Sequence, residues 1–438
     1  MKSKLLNFFS ELRGSYWYIP MLMSIFALLL SILTLNADHF ITAYWKEQIS
    51  WFHEISLDGA RSLLSTIATS MIALAGVTFS MTIVAISFAG AQVGPRLISN
   101  FMRDRSNQIV LGIFIATFLF CLFILLALFN VNKIEIANSV KVIFIPQLSL
   151  IAAILFTISS IIGFVYFIHY VPESINISNI VGKIGGQLNR QIECQFPINI
   201  GKESSKQSHI ICTSYEQTTK VISNMNGYIR ILDGSSLIKI AKEHDLIIKL
   251  EVNIGDYITQ DSCLLSIYSL NKIDKSIHKK CIDTFVVGHK RNQEHDILFI
   301  VIEMTEIIAR ALSPGVNDPF TAINCLDYLQ SSLQKISKTT EPSPYRYDAD
   351  DKLRLITKIN TFSDFCEMIF SSIQPYVCKD KNAALHMMLM MISISKNISN
   401  HEHKTTLASH ALSLKKATTK YLFVEDDKKI QNIYDQNW

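Results

Sequence analysis

The stretch that decides the fold is residues 62–94, SLLSTIATSMIALAGVTFSMTIVAISFAGAQVG. Its 33 residues include no Asp, Glu, Lys, Arg or His. An α-helix of this length, rising about 1.5 Å per residue, would be about 50 Å long. The hydrocarbon core of a bilayer is only about 30 Å thick. The stretch therefore predicts a membrane-spanning helix that is longer than the hydrocarbon core is thick.

One side of this helix carries small and hydroxylic side chains. At 100° per residue, that side consists of Ser62, Thr66, Thr69, Ala73, Gly76, Ser80, Val84, Ser87, Ala91 and Gly94. Contact with lipid gives no reason to align such residues, whereas close packing of helices, within the chain or between copies, does. Packing combined with a water or ion pathway is the alternative. The candidates for either role are Ser62, Thr66, Thr69, Ala73, Gly76, Ser80 and Ser87.

Arginines stand at both ends of the helix, Arg61 at its start and Arg96 just beyond its end. One interpretation is that both are interfacial anchors whose cationic heads reach the headgroups. The other is that they are charges at the two mouths of a pathway, which would favour anions.

Apolar runs at about 17–36, 109–129 and 142–170 predict three further spans beside the one at 62–93. The first run is longer than the apolar part of a usual signal peptide, which favours a retained span. The loop at 95–108 is rich in Arg and the segment at 37–61 is acidic. The excess of Arg predicts that this loop, and with it both termini, lies in the cytoplasm.

Composition agrees with this class. Of 438 residues, 49% are hydrophobic and 18% are charged, against about 25% charged in an average soluble domain. The net charge of +4, without a basic run interleaved with aromatics, excludes a nucleic-acid partner. Eight scattered cysteines without a C-x-x-C pair favour reduced thiols over a disulfide framework or a zinc site.

The fold class that follows is a membrane α-helical protein with four transmembrane helices and a cytoplasmic α+β domain. We expect a transmembrane domain at 1–170, a β-rich module at 171–270, a helical region at 271–425 and a mobile polar tail at 426–438. Strands are predicted near 227–231, 246–252 and 263–268. Helices are predicted at 296–312, 319–337, 353–372, 381–397 and 404–424.

The segment Ser313-Pro314-Gly315-Val316-Asn317-Asp318-Pro319 gathers polar groups between two apolar helices. A connector explains much of it: Ser-Pro-Gly ends one helix, and Asp318 with Pro319 begins the next as N-cap and first helical residue. The alternative is a small-ligand or anion site at that helix N-terminus, with Arg310, Ser313, Asn317 and Asp318 as the candidate residues.

Signals of chemistry are otherwise missing from the sequence. No G-x-S-x-G, Walker-type loop or H-E-x-x-H occurs in a supportive setting, and the pair His401 and His403 does not share a helical face. We therefore expect no enzyme activity, no catalytic residue, no metal site and no cofactor.

Three motifs in order resemble a known family. They are GARSLLSTIA at 59–68, GPRLISNFMRDR at 94–105 and ALSPGVNDPFTA at 311–322. Together they resemble the bacterial predicted membrane proteins catalogued as domain of unknown function 2254. The resemblance covers roughly residues 10–335 and implies a multi-pass bacterial inner-membrane protein without an established activity.

The leading hypothesis for function is an oligomeric channel or transport-like protein whose cytoplasmic domain regulates it. Its partners would be the lipid bilayer, further copies of the chain, and a small anion or other ion. The alternative is a membrane-anchored sensor or scaffold that binds a ligand or partner through its cytoplasmic domain.

Overall fold

A computed structural model describes residues 15–41, 56–94, 104–137, 145–195, 202–203, 217–270, 273–291, 296–339 and 341–438. The chain divides into two compact units. The helical unit comprises residues 8–91 and 95–176, and the mixed unit contains residues 92–94 and 177–438. Each unit is described by itself.

Four helices that are long and apolar enough to cross a membrane make up the helical unit, as the sequence predicts. They are α1 (Tyr18–Ile41), α2 (Leu57–Val93), α3 (Arg105–Ala137) and α4 (Gln147–Ser174). Helix α2 ends where Gly94 takes a φ of +114°, a conformation that favours glycine.

The core of the helical unit joins all four helices through large side chains of α3. Phe120, Ile124 and Leu128 of α3 are buried together with Leu64 of α2 and Leu150 of α4. A second cluster packs Met71 and Ala75 of α2 against Val110 and Phe114 of α3 and Phe167 of α4. Close packing of such side chains supplies the attraction that the hydrophobic effect cannot supply between helices in lipid.

Polar contacts fix the helices at both ends and in the middle of this unit. At one end, the buried carboxylate of Asp38 in α1 accepts hydrogen bonds from the backbone N–H groups of Leu148 (2.8 Å) and Ser149 (3.1 Å). It also accepts one from the Ser149 hydroxyl (2.7 Å), so α1 caps the N-terminus of α4. In the middle, the hydroxyls of Thr117 and Ser160 lie 3.1 Å apart. At the other end, Tyr170 donates to Asp104.

Two β-sheets and a set of helices form the mixed unit. The strands are β1 (Lys202–Glu203), β2 (Gln217–Ile222), β3 (Gly227–Leu232), β4 (Ile247–Leu250), β5 (Tyr257–Ile258), β6 (Cys263–Ser269), β7 (Phe285–Gly288), β8 (Tyr345–Tyr347) and β9 (Leu353–Ile356). One sheet has the order β1-β8-β9-β4-β6-β2 and the other β5-β3-β7. All pairs are antiparallel except β4 with β9. The three strands that the sequence predicts are present as β3, β4 and β6.

The helices of this unit are α5 (Ile177–Gln195), α6 (Gly234–Glu243), α7 (Lys275–Ile282), α8 (Ile297–Ala311), α9 (Pro319–Lys338), α10 (Phe362–Cys366), α11 (Ser372–Val377), α12 (Lys381–Lys396), α13 (His401–Tyr421) and α14 (Val424–Asn437). A π-helical turn, Glu367–Ser371, joins α10 to α11. The core under the larger sheet packs Leu237 of α6 and Cys281 of α7 against Ile248, Leu265 and Leu355.

Two sequence predictions fail here. The helix predicted at 353–372 is instead strand β9 followed by a helix from Phe362, because Leu353, Leu355 and Ile356 pair with β8 or β4. The tail at 426–438, expected to be mobile, lies in α14, which is anchored by the buried Ile430 and by a Lys415–Asp435 ion pair. Both elements depend on partners far away in the chain.

A buried charge network ties the β8–β9 turn to the end of α6. Arg354 donates to Asp348 (2.8 Å) and to Asp245 (2.7 Å), and Asp348 also accepts from the backbone N–H groups of Asp350 and Lys352. Burial opposes ionisation of Asp348, but the bonds from Arg354 and the backbone outweigh it and lower its pKa. The hydrogen bond from Arg354 likewise lowers the pKa of Asp245.

This network predicts loss of stability in acid. A carboxylate whose pKa is lower in the folded state stabilises above its unfolded pKa of about 4, and this contribution is lost as pH falls through the folded value. Arg354→Met should therefore have a lower melting temperature of the mixed unit than the wild type at pH 7. This difference between the variant and the wild type should shrink as the pH falls below about 4. Lys239→Met, which removes only an exposed pair with Glu243, is the matched control. A deficit of Arg354→Met that stays constant with pH would contradict the assignment.

Candidate functional site

The small-residue face of α2 points away from the other helices of its own chain. All seven candidates are exposed in the single chain, namely Ser62, Thr66, Thr69, Ala73, Gly76, Ser80 and Ser87. The buried residues of α2 form the opposite face: Ala60, Leu64, Ala68, Met71, Ala75, Thr78, Thr82, Ile86 and Ala89. Packing among the described helices of the helical unit therefore does not cover the small residues.

Hydroxyl groups on this face bond back to their own helix. Thr66 donates to the carbonyl of Ser62 (2.7 Å), Thr69 to that of Ser65 (2.9 Å) and Ser87 to that of Ile83 (2.9 Å). These three donors are therefore satisfied even if the face lies against apolar surroundings. The hydroxyl oxygens keep lone pairs that can accept from a neighbouring helix or from water.

Two glycines of the helical unit, Gly112 and Gly76, differ in whether a neighbouring helix lies against them. A Cβ added at Gly112 of α3 would lie 2.6 Å from Sδ of Met23, so this glycine allows α1 and α3 to approach closely. A Cβ added at Gly76 would meet no atom within 4 Å. The absence of a side chain at Gly76 thus serves nothing in the part of its own chain that the structure describes.

The two predicted mouth charges have different outcomes. Arg61 is only 21% exposed: it donates to the carbonyl of Leu128 (3.3 Å), pairs with Asp58 (3.5 Å) and lies over the ring of Phe129 (4.9 Å). Its guanidinium is thus held against the end of α3. Arg96 lies outside the described residues.

The loop between α8 and α9 has the geometry of a connector. Asp318 caps α9, accepting from the backbone N–H (3.1 Å) and the hydroxyl (2.6 Å) of Thr321, with Pro319 as first helical residue. Ser313 donates to the carbonyl of Arg310 (2.6 Å), and the Arg310 side chain reaches Glu306 (3.4 Å).

Asn317, in the left-handed region at φ +49°, donates its N–H to the carbonyl of Ser313 (2.9 Å). The sequence thus locates the N-cap correctly. The side chains of Arg310, Ser313 and Asp318 and the backbone N–H of Asn317 bond within the loop and its two helices, and residues 314–317 are exposed.

Among the described residues, no group of three or more His, Cys, Asp or Glu side chains is placed to hold a metal ion. Burial raises the pKa of Cys281 to about 11, and it also raises the pKa of Cys325 and Cys366. Such thiols are poor nucleophiles at neutral pH. His403 is buried, stacks on Phe362 (4.4 Å) and lies 3.5 Å from Glu341.

Two long-range polar arrangements, the cap of α4 by Asp38 and the charge network around Arg354, were not predicted from the sequence. The cap of α4 by Asp38 joins residues 110 positions apart, and Arg354 of β9 joins the β8–β9 turn to the residues that follow α6. A lone Asp at the end of an apolar run was the only available signal for the first.

Comparison with known proteins gives one match to a family. The profile described as "Predicted membrane protein (DUF2254)" matches residues 13–393. Uncharacterized proteins of Mycobacterium bovis and Mycobacterium tuberculosis are 22% identical over 373 residues, covering 84% of this chain and 70% of theirs. No solved structure matches significantly.

Proposed function

This chain belongs to the family of predicted membrane proteins defined by domain of unknown function 2254, and from that premise we propose that it is an oligomeric channel or transport-like protein. In this proposal the α2 helices of several copies meet through their small-residue faces and line or border the pathway. The protein is not an enzyme, and the mixed unit regulates the pathway from the cytoplasm.

The observation that carries the proposal is the face of α2 that the described helices of the helical unit leave uncovered. Gly76 and the hydroxylic residues give no packing advantage to a single copy, and lipid does not select them. Between copies, small residues let two backbones approach closely, and the hydroxyl oxygens of Thr66 and Thr69 offer polar contacts along the shared axis.

Orientation and permeant ion follow from charge. The Arg-rich segment 95–108 belongs inside by the positive-inside rule, which puts Arg61 at the outer end, both termini in the cytoplasm and the protein in the inner membrane. Because Arg61 is held by Asp58 and the Leu128 carbonyl, a preference for anions would depend on Arg96. The proposed permeant is thus a small ion. Only Arg96, at the cytoplasmic end of the pathway, would favour an anion.

Bulk at Gly76 is the direct test. In liposomes containing the purified protein, Gly76→Leu should reduce potassium or chloride flux by more than about tenfold, because the side chain fills the space between α2 helices. The fold of one chain should be unchanged, since within the described residues no atom beyond the adjacent backbone of α2 lies within 4 Å of the added Cβ position.

The matched control is Val77→Leu, which adds bulk to the neighbouring exposed position outside the small-residue face. It should leave flux unchanged. In parallel, Gly76→Cys should form disulfides between copies in membranes and Val77→Cys should not. Absence of flux in the wild type together with absence of cross-linking in Gly76→Cys would overturn the proposal.

A sensor or scaffold is the second candidate, and the exposure of residues 314–317 in the loop between α8 and α9 favours it. It predicts that the wild type carries no flux of either ion, while substitutions at Arg310 and Asn317 change the binding of a cytoplasmic partner. The same liposome measurement therefore separates the two candidates.

A further inference from the structure

The helices at the C-terminal side of the mixed unit form a bundle whose ends can be assigned from contacts. Helices α9 and α12 lie side by side and run in the same direction, because Asp327 contacts His386 (2.7 Å) and Gln330, one turn later, contacts Ser393 (3.2 Å). The first turns of α9 and α12 therefore lie at the same end of the bundle.

The turn between α13 and α14 lies at that end too. Lys381, the first residue of α12, is 3.8 Å from Asp426 in the first turn of α14. Lys379, two residues before α12, lies over the ring of Tyr421 at 5.6 Å. The α13–α14 turn, the start of α12 and the start of α9 thus form one surface.

This surface exposes large apolar side chains. Phe423 is 86% exposed, Phe320 is 72% exposed and Val424 is 69% exposed, and about half of Val316 and Tyr421 is also accessible. We call these five residues the apolar end. They protrude from connections between helices, where no packing within the unit requires an aromatic ring. Exposed apolar residues gathered in this way mark an interaction surface.

Two lysines flank one aromatic ring of the apolar end, that of Tyr421. Lys379 and Lys420 lie 5.6 and 5.3 Å from the ring of Tyr421, and both are exposed. Several carboxylates nearby are already engaged: Asp318 and Asp380 cap helices, and Asp426 pairs with Lys381 and with Lys429 (3.6 Å). Glu425 is exposed and acidic, so the charge on this surface is mixed and the attraction rests mainly on the apolar side chains.

We propose that the apolar end inserts into the headgroup region of the lipid bilayer and docks this bundle on the membrane surface. Aromatic and aliphatic tips flanked by Lys are what that region selects, because the rings enter the boundary of the acyl chains while the ammonium groups stay in water. The four spans tether the bundle to a bilayer, which makes the local concentration of lipid high. A second copy is a weaker choice, because separate protruding tips present no groove to match.

The test places a fluorescent probe at the tips in the full-length chain in lipid nanodiscs. A polarity-sensitive probe is attached at Phe423→Cys or Phe320→Cys, with Cys194, Cys212 and Cys263 replaced by serine. The matched control is Leu412→Cys, an exposed apolar position in the middle of α13. Lipids carrying a nitroxide at headgroup depth report contact, in zwitterionic nanodiscs and in nanodiscs that also contain phosphatidylglycerol.

We expect the probe at positions 320 and 423 to show blue-shifted emission and to be quenched by the nitroxide. Its quenching there should be at least about threefold stronger than at position 412. Anionic lipid should increase the quenching, and Lys379→Glu with Lys420→Glu should remove only that increase. Quenching at both tips no greater than at 412 would overturn the proposal. So would a blue shift without quenching that grows with the number of chains per disc, which would assign the surface to a second copy.

Discussion

Replacement of Gly255 by alanine is expected to destabilise the small sheet of the mixed unit by about 3–5 kcal/mol, the range for disrupting a buried ion pair. Gly255 has a φ of +92°, which costs an L-residue about 1–2 kcal/mol. An added Cβ would also overlap Oδ2 of Asp296 and lie 2.6 Å from Nη2 of Arg291. It would thus separate a pair that Arg291 closes with two hydrogen bonds of 2.6 and 2.9 Å.

Damage should spread from this pair because Asp296 also caps α8, accepting from the N–H of Phe299 (3.0 Å). The turn itself is bonded to β3, through Gly255 N–H to the Ile229 carbonyl (2.8 Å). In the full-length protein, the backbone amides of β3 and of the first turn of α8 should therefore exchange hydrogen more than about 100-fold faster in Gly255→Ala than in the wild type.

Gly186→Ala is the control, since a Cβ there would meet no atom within 4 Å and an alanine suits the interior of a helix. If Gly255→Ala and Gly186→Ala exchange alike in β3, the close approach of Gly255 to the Arg291–Asp296 pair is not a source of stability.

Replacement of Asp38 by alanine should have the second large effect, a loss of about 2–3 kcal/mol from the helical unit. The buried carboxylate accepts three hydrogen bonds at the start of α4, two from backbone N–H groups and one from the Ser149 hydroxyl. Its charge also faces the positive end of the α4 dipole. Without it, buried N–H groups in an apolar environment lose their acceptor.

The measurement is unfolding of the purified protein by titration with a denaturing detergent, followed by loss of helix. Asp38→Asn keeps an acceptor oxygen but not the charge, and should fall between the wild type and Asp38→Ala. Asp58→Ala, which removes a carboxylate that is 93% exposed, should change stability by less than about 1 kcal/mol. Equal losses for Asp38→Ala and Asp58→Ala would show that the cap is not stabilising.

The sequence determined the features that depend on local pattern. Four apolar runs of sufficient length give four candidate spans, since each helix satisfies its own backbone hydrogen bonds. Asp318-Pro319 begins a helix because an acceptor side chain followed by proline suits the first turn in any surroundings. Periodicity also identified the small-residue face of α2.

Tertiary structure decided the contacts between residues that are far apart in the chain. Residues 353–356 became a strand because strands on both sides offered hydrogen bonds, against a helical pattern in the sequence. Asp38 reaches α4, and Arg291 and Asp296 close over Gly255, through contacts between residues distant in sequence that no local pattern records.

The same distinction applies to α2. The composition of its small-residue face is fixed by the sequence. That the described helices of the helical unit leave this face uncovered was decided by packing, because the large side chains of α3 and α4 take the opposite face.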